Sequence, residues 1–101
     1  MPKGYAIFTE DVHDPDGLAA YGQKAAPAMA GRDFKALVVA DHHEVLEGEW
    51  HGTRTVILEF PSVEAAQEWY RSPEYQAAVP VRQAAAHCNG VIVAGFEPPA
   101  G

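Results

Sequence analysis

Residues Val45 to Arg82 read VLEGEWHGTRTVILEFPSVEAAQEWYRSPEYQAAVPVR, and this stretch decides the fold of the chain. Within it, Arg54 to Phe60 is rich in β-branched and aromatic residues, which is typical of a β-strand. Pro61 ends the predicted strand, and Ser62 is suited to cap a following helix. The pattern Ser72-Pro73-Glu74 is a second helix-start signal. The stretch therefore predicts a strand followed by a helix that breaks and restarts.

Three further segments predict strands. Gly4 to Glu10 alternates in polarity, and both Phe34 to Ala40 and Val91 to Phe96 are short apolar runs. A helix is predicted between the first two of these strands. The order strand, helix, strand, strand, helix, strand is the ferredoxin-like βαββαβ pattern, in which an antiparallel sheet of four strands carries two helices on one face.

Local signals mark the ends of the first helix and one turn. Asp14 is suited to the N-cap position, Pro15 to the first helical position and Gly31 to the end of the helix. Asn89-Gly90 predicts a turn before the last strand. The segment Asp41 to Gly52 predicts a turn and an extension, and the sequence leaves open whether this extension is exchanged between subunits.

The predicted sheet has one face without helices. Alternation along Arg54 to Phe60 places Val56, Leu58 and Phe60 under the helices and Thr55, Ile57 and Glu59 on the other face. A bare sheet face carrying Ile7 and Ile57 would expose apolar surface to water. In this fold class a second copy usually covers such a face. The sequence therefore predicts a homodimer with its sheets stacked.

The composition favours some classes of protein and disfavours others. The chain has 101 residues and a net charge of −7, with seven basic residues scattered singly. This pattern supports neither a nucleic-acid partner nor an anionic membrane surface. Cys88 is the single cysteine, and the N-terminus has no long apolar run, so we expect a cytoplasmic protein without disulfides or a membrane span. We expect one domain, residues 1–97, and a flexible tail, residues 98–101.

Two motifs resemble the DUF1330 family of small bacterial proteins without an assigned function. They are LEGEW at Leu46 to Trp50 and EWYRSPEY at Glu68 to Tyr75, and Gly4 to Tyr21 and Gly31-Arg32 resemble the N-terminal half of the family. The family is similar to the dimeric α+β barrel proteins, which include cofactor-free monooxygenases, isomerases, haem-degrading enzymes and binding modules. The resemblance implies a sheet-on-sheet dimer and a ligand cavity between helices and sheet or inside the barrel, without naming a reaction.

Glu59 is the leading catalytic candidate. A carboxylate on a covered sheet face must be paired, hydrogen-bonded or protonated, and a raised pKa there would suit a general acid or base. The alternative is a structural ion pair, within the subunit or across the dimer. His43, near Glu47, is a second candidate base, and a solvated loop histidine is its alternative.

Arginines and aromatic residues are candidates for binding a substrate. Arg54 and Arg82 could hold an anionic group or pair internally with Glu47 or Glu59. The aromatic side chains of Trp50, Trp69 and Tyr75 suit a planar ligand, and ordinary packing is their alternative.

The remaining reactive residues carry weaker signals. The five histidines lack metal-binding spacing, and no phosphate-binding or dinucleotide-binding motif occurs, so we expect neither a metal nor a cofactor. Cys88 is expected to be an unreactive, buried thiol near a helix end.

Three functions stay open from the sequence. The first is a cofactor-independent enzyme that acts on a small aromatic or carbonyl-bearing molecule, with Glu59 as acid or base and Arg82 as anchor. The second is a binding module that uses the same cavity, beside Glu59, Trp69 and Arg82. The third is a structural or interaction protein whose polar cluster stabilises the dimer.

Overall fold

The computed structural model describes residues 2–99, and the last part of the predicted tail, residues 100 and 101, lies outside them. The elements in chain order are β1 (Gly4–Val12), α1 (Pro15–Met29), β2 (Lys35–Ala40), β3 (Arg54–Phe60), α2 (Val63–Arg71), α3 (Pro73–Ala85) and β4 (Ala86–Ala94). The described strands form one antiparallel sheet in the order β2-β3-β1-β4. The predicted ferredoxin-like α+β fold is confirmed.

Capping residues start the helices where the sequence predicts. Asp14 accepts a hydrogen bond from the Gly17 backbone N–H at 3.1 Å and caps α1. Ser62 caps α2 in the same way, and Ser72 caps α3 while its hydroxyl donates to the Trp69 carbonyl at 2.8 Å. Each cap satisfies a backbone donor that the first helical turn leaves free. Because Ser72 bonds to both helices, it fixes the bend between α2 and α3.

The core lies between the helices and one face of the sheet. Its largest fully buried side chains are Phe60, Trp69 and Tyr75. The Trp69 ring lies 4.2 Å from the Tyr75 ring and 5.3 Å from the Phe60 ring, measured between centroids. Large aromatic groups supply much of the hydrophobic stabilisation of such a core. This packing explains why EWYRSPEY is part of the fold rather than a loop motif.

The turn predicted at Asn89-Gly90 is wrong. Both residues lie inside β4, where Asn89 pairs with Thr9 and Gly90 pairs with Phe8. A Cβ on Gly90 would lie 2.7 Å from the Phe8 ring, so only glycine leaves room for that ring. The glycine marks a close approach between strands, and β4 begins directly after α3.

The segment 41–53 contains no helix or strand. It exposes the apolar side chains of Val45, Leu46 and Trp50. The Thr53 backbone N–H donates to the Glu10 carbonyl at 3.1 Å, which ties the end of the segment to β1. The predicted extension is thus an irregular arm, which we call the β2–β3 arm.

The second face of the sheet carries no helix. Its apolar side chains include Ile7 and Ile57 in the central strands and the exposed Val91 and Val93 in β4. No described helix covers this face, as the sequence predicts, although Trp50 of the β2–β3 arm bonds to Thr55 on it. Among residues 2–99, no helix combines the length and the apolar character needed to cross a membrane.

Candidate functional site

The structure places the predicted site residues in three separate regions. Glu59 lies on the open sheet face, the β2–β3 arm carries three of the candidates, and the other four lie under the helices. The arm carries His43, Glu47 and Trp50, and the helix-covered group contains Arg54, Trp69, Tyr75 and Arg82. The cavity expected beside Glu59, Trp69 and Arg82 is therefore not formed, because alternation along β3 turns Glu59 away from the helices.

Glu59 is held by two donors on the open face. Lys3 Nζ lies 3.2 Å from Glu59 Oε1, and the Tyr5 hydroxyl donates to Oε2 at 3.0 Å. The hydrogen bond from Lys3, followed by that from Tyr5, lowers the pKa of the Glu59 carboxyl. The direction is opposite to the raised pKa that we expected, because both partners favour the charged form. The catalytic role of Glu59 stays a prediction, and its contacts here are those of a structural ion pair.

The candidates on the β2–β3 arm share a shallow cavity of about 440 Å³ that opens beside β2 and β3. His43 lies 6.2 Å from the Trp50 ring between centroids, and Trp50 Nε1 donates to the Thr55 hydroxyl at 3.2 Å. Glu47 lines the same cavity, and all three candidates are exposed. The catalytic role of His43 and the binding roles of Glu47 and Trp50 stay predictions.

A cavity of about 220 Å³ lies between α1, α3 and the covered face of the sheet. We call it the α1 cavity. It brings together residues of β1, β3 and all the helices, and its polar or aromatic lining comprises Glu10, Tyr21, Arg54, Trp69, Tyr75 and Arg82. Four of these six were predicted from the sequence as binding residues. Glu10 and Tyr21 were missed.

Glu10 is the buried carboxylate of the α1 cavity, with 4 % of its surface exposed. Arg54 Nε donates to Glu10 Oε1 at 3.0 Å, and Arg54 Nη1 donates to Asp41 at 3.2 Å. Of the two alternatives for Arg54, the structure shows an internal ion pair, but its partners are Glu10 and Asp41 rather than Glu47 or Glu59. Ala6 and Phe8 alternate on the covered face of β1, and extending this alternation by two residues would have placed Glu10 on the same face. That Glu10 lies opposite Arg54 could be seen only from the pairing of β1 with β3.

Two phenols line the α1 cavity. The hydroxyls of Tyr21 and Tyr75 lie 2.7 Å apart and share a hydrogen bond. Burial is the largest cause that raises the pKa of both phenols. Both groups are therefore neutral near pH 7 and can donate or relay a proton without bearing charge.

Arg82 is a buried cation whose partners are mainly aromatic. Its exposed fraction is 4 %, and its guanidinium carbon lies 4.8 Å from the Phe8 ring centroid and 5.9 Å from that of Tyr21. Cation–π attraction of this kind stabilises a desolvated guanidinium. Among the described residues Arg82 forms no ion pair, and neither Arg82 Nε nor Trp69 Nε1 has a hydrogen-bond partner. Two buried donors without partners are costly in free energy and are a common mark of a functional site.

Cys88 lies beside this cluster, inside β4 rather than at a helix end. Its Sγ is 3.7 Å from Glu10 Oε2. Burial, followed by the Glu10 carboxylate, raises the pKa of the Cys88 thiol, and the Arg82 guanidinium opposes this shift. Cys88 is therefore a neutral thiol near pH 7.

The part of the chain from residue 2 to residue 99 has no group of three or more His, Cys, Asp or Glu side chains that could hold a metal ion. The side chains that line the α1 cavity include one carboxylate, two guanidinium groups and two neutral phenols. Such a set can bind an acceptor group and move a proton.

Several solved structures have the same fold, and the similarity to each covers nearly the whole of this chain. A protein of unknown function from Rhodopseudomonas palustris, RPA0582, is 25% identical with a TM-score of 0.71, covering 96% of this chain and 85% of that protein. SnoaB from Streptomyces nogalater, described as a cofactor-independent oxygenase, is 11% identical with a TM-score of 0.66 and 97% coverage of both chains. A protein from Thermobifida fusca, described as dimeric and ferredoxin-like, is 12% identical with a TM-score of 0.59, covering 92% of this chain and 91% of that one.

Sequence comparison gives one family. No curated protein matches the chain at a significant level. The family described as a domain of unknown function, DUF1330, matches residues 3–96, which is nearly all of the chain. The chain therefore belongs to the DUF1330 family.

Proposed function

We propose that this chain is a cytoplasmic homodimer that binds a small aromatic or carbonyl-bearing molecule in the α1 cavity and acts on it as a cofactor-independent enzyme. The observation that carries the proposal is Glu10, a carboxylate buried in a cavity beside two arginines and two neutral phenols. Buried charges of this kind are expensive to maintain and cluster at functional sites.

The size of the α1 cavity limits the ligand. A volume of about 220 Å³ corresponds to about seven water molecules at roughly 30 Å³ each. A single aromatic ring with one or two substituents, or a short β-dicarbonyl, fits this volume. The aromatic walls formed by Trp69, Tyr21 and Tyr75 favour a planar body.

The polar groups of the α1 cavity favour proton transfer next to a carbonyl or phenol. Glu10 supplies a carboxylate that can accept a proton from the ligand. Arg82 supplies a positive charge that would stabilise the enolate or phenolate left behind. Tyr21 and Tyr75 supply neutral hydroxyls that can orient the ligand oxygen.

The open sheet face supports a dimer of this chain. Ile7 and Ile57 lie at its centre, and no helix of residues 2–99 covers them. A second copy placed sheet against sheet would bury both residues, since a two-fold interface is self-complementary. The fold is also that of a protein described as dimeric.

A ligand screen tests the binding part of the proposal. Thermal shifts are measured with acetylacetone, catechol and salicylaldehyde for the natural chain, Glu10→Gln and Glu59→Gln, since a bound ligand raises the melting temperature by mass action. We expect a shift with at least one probe that Glu10→Gln changes and the matched Glu59→Gln leaves intact. A shift lost only in Glu59→Gln would overturn the choice of cavity.

The dimer is tested with a charge on the open face. Ile57→Lys should produce monomers at micromolar concentration by sedimentation velocity, because it places two ammonium groups in an apolar interface. Ala77→Lys, on the exposed side of α3, is the matched control and should stay dimeric. A monomeric natural chain would refute this part of the proposal.

A structural role is the alternative, and the contacts of Glu59 favour it for the open face. Glu59 bonds to Lys3 and Tyr5 next to the surface that the second copy would cover. If the ligand screen gives no shift in melting temperature and Glu59→Gln weakens the dimer, the chain is an interaction module whose dimer interface is stabilised by the polar contacts of Glu59.

A further inference from the structure

A third cavity, of about 380 Å³, lies between α2, α3 and the edge strand β4. We call it the β4 cavity. Its lining includes two arginines, Arg71 and Arg82, two glutamine amides from Gln67 and Gln83, and aromatic groups of Phe8 and Tyr70. Among the described residues that line it, none is acidic. The β4 cavity therefore has a positive lining although the chain has a net charge of −7.

Neither guanidinium group makes an ion pair with a carboxylate among the described residues. Neither Arg71 nor Arg82 takes part in an ion pair within residues 2–99, although Arg54 pairs with Glu10 and Asp41 nearby. Arg82 is more than nine-tenths buried and its Nε has no hydrogen-bond partner. A buried guanidinium without a direct ion pair is stabilised by an anion that can reach it.

The remaining lining indicates which anion fits. A guanidinium binds a carboxylate through two parallel hydrogen bonds. The Phe8 and Tyr70 rings and the Ile92 side chain offer apolar contact to an organic body attached to that carboxylate. The amide groups of Gln67 and Gln83 can donate to a second oxygen.

We propose that the β4 cavity is a binding site for a small organic carboxylate, held between Arg71 and Arg82. This site is separate from the α1 cavity, since Arg71 lines only the β4 cavity and Tyr21 lines only the α1 cavity. Phe8 and Arg82 line both cavities, so Arg82 can couple their occupancy.

Benzoate tests the proposal at constant ionic strength. Amide spectra of ¹⁵N-labelled protein are recorded during a titration, with Gly90 reporting on the β4 cavity and Gly22 on the α1 cavity. We expect a saturable shift at Gly90 in the natural chain. Loss of one charge-assisted pair should weaken binding by about tenfold in both Arg71→Gln and Arg82→Gln.

Control variants keep the result decisive. Arg71 is exposed, so Arg71→Gln should fold even if Arg82→Gln does not. Lys24→Gln removes an exposed positive charge from α1 and should bind benzoate as the natural chain does, and so should Tyr21→Phe. Tyr21→Phe keeps the ring beside Arg82 and removes only a hydroxyl of the α1 cavity, so a loss of binding in the α1 cavity would leave benzoate binding in the β4 cavity unchanged.

Three results would overturn the proposal. The first is the absence of a saturable shift at Gly90, and the second is an affinity of Arg71→Gln equal to that of Lys24→Gln. The third is inorganic phosphate binding as tightly as benzoate, because the aromatic walls would then contribute nothing to recognition.

Discussion

The substitution Glu10→Gln should destabilise this chain more than any other carboxylate-to-amide change on its sheet. Glu10 is almost fully buried, and its partner Arg54 is about three-quarters buried, with side-chain exposures of 5% and 26%. Glutamine keeps one acceptor for Arg54 Nε at 3.0 Å but removes the negative charge that balances the guanidinium.

The magnitude follows from the two limits for ion pairs. Breaking a fully buried pair costs about 3–5 kcal/mol, and an exposed pair contributes about 0–1 kcal/mol. Arg54 keeps a weak second partner in the exposed Asp41, so we expect a loss of about 2 kcal/mol. With a denaturation slope of about 2 kcal/mol per molar urea, the midpoint should fall by about 1 M.

The assay is urea unfolding at one protein concentration near pH 7, because a dimer makes stability depend on concentration. Arg54→Gln and the double variant complete a mutant cycle, and the double variant should lose about 1–2 kcal/mol less than the sum of the single losses. Glu59→Gln is the matched control and should have a smaller effect. An equal loss in Glu10→Gln and Glu59→Gln, or strict additivity in the cycle, would refute the assignment of Glu10 as the buried, paired carboxylate.

Three further predictions concern single positions. Because the pKa of the Glu59 carboxyl is lowered, its ion pair stabilises the fold at pH values above the ordinary pKa of glutamate, and this stabilisation is lost as the carboxyl is protonated. The urea midpoints of the natural chain and Glu59→Gln should therefore differ at pH 7 and converge as the pH falls below about 4. A difference in midpoint that grows in acid would contradict this. Because the pKa of the Cys88 thiol is raised, iodoacetamide should alkylate Cys88 more slowly at pH 8 than it alkylates an unstructured cysteine peptide. Mass spectrometry measures both rates, and faster alkylation of Cys88 would show an activated thiolate. Gly90→Ala should destabilise the fold by about 1–3 kcal/mol because the added Cβ meets the Phe8 ring. Gly22→Ala, whose Cβ meets nothing within 4 Å, should stabilise the fold by about 0.5–1 kcal/mol in the same urea assay. Equal effects of the two substitutions would contradict the strand register.

Local signals were sufficient for most of the elements. The strand Arg54–Phe60 and the starts of α1, α2 and α3 follow from residues within one turn of each boundary. A capping side chain acts on a backbone N–H three residues away, so the sequence contains the whole interaction. Gly90 was misread because its reason for being glycine is the Phe8 ring, which lies on a different strand.

The sequence by itself determined which elements form, their order, and which side chains share a face of each strand, because these depend on contacts between near neighbours in the chain. Only the tertiary structure decided which groups make up the site. The carboxylate that pairs with Arg54 is Glu10 rather than Glu59, because strand register brings together residues 44 positions apart. A shift of one residue along β3 turns a side chain to the opposite face, which is why Glu59 lies away from the α1 cavity.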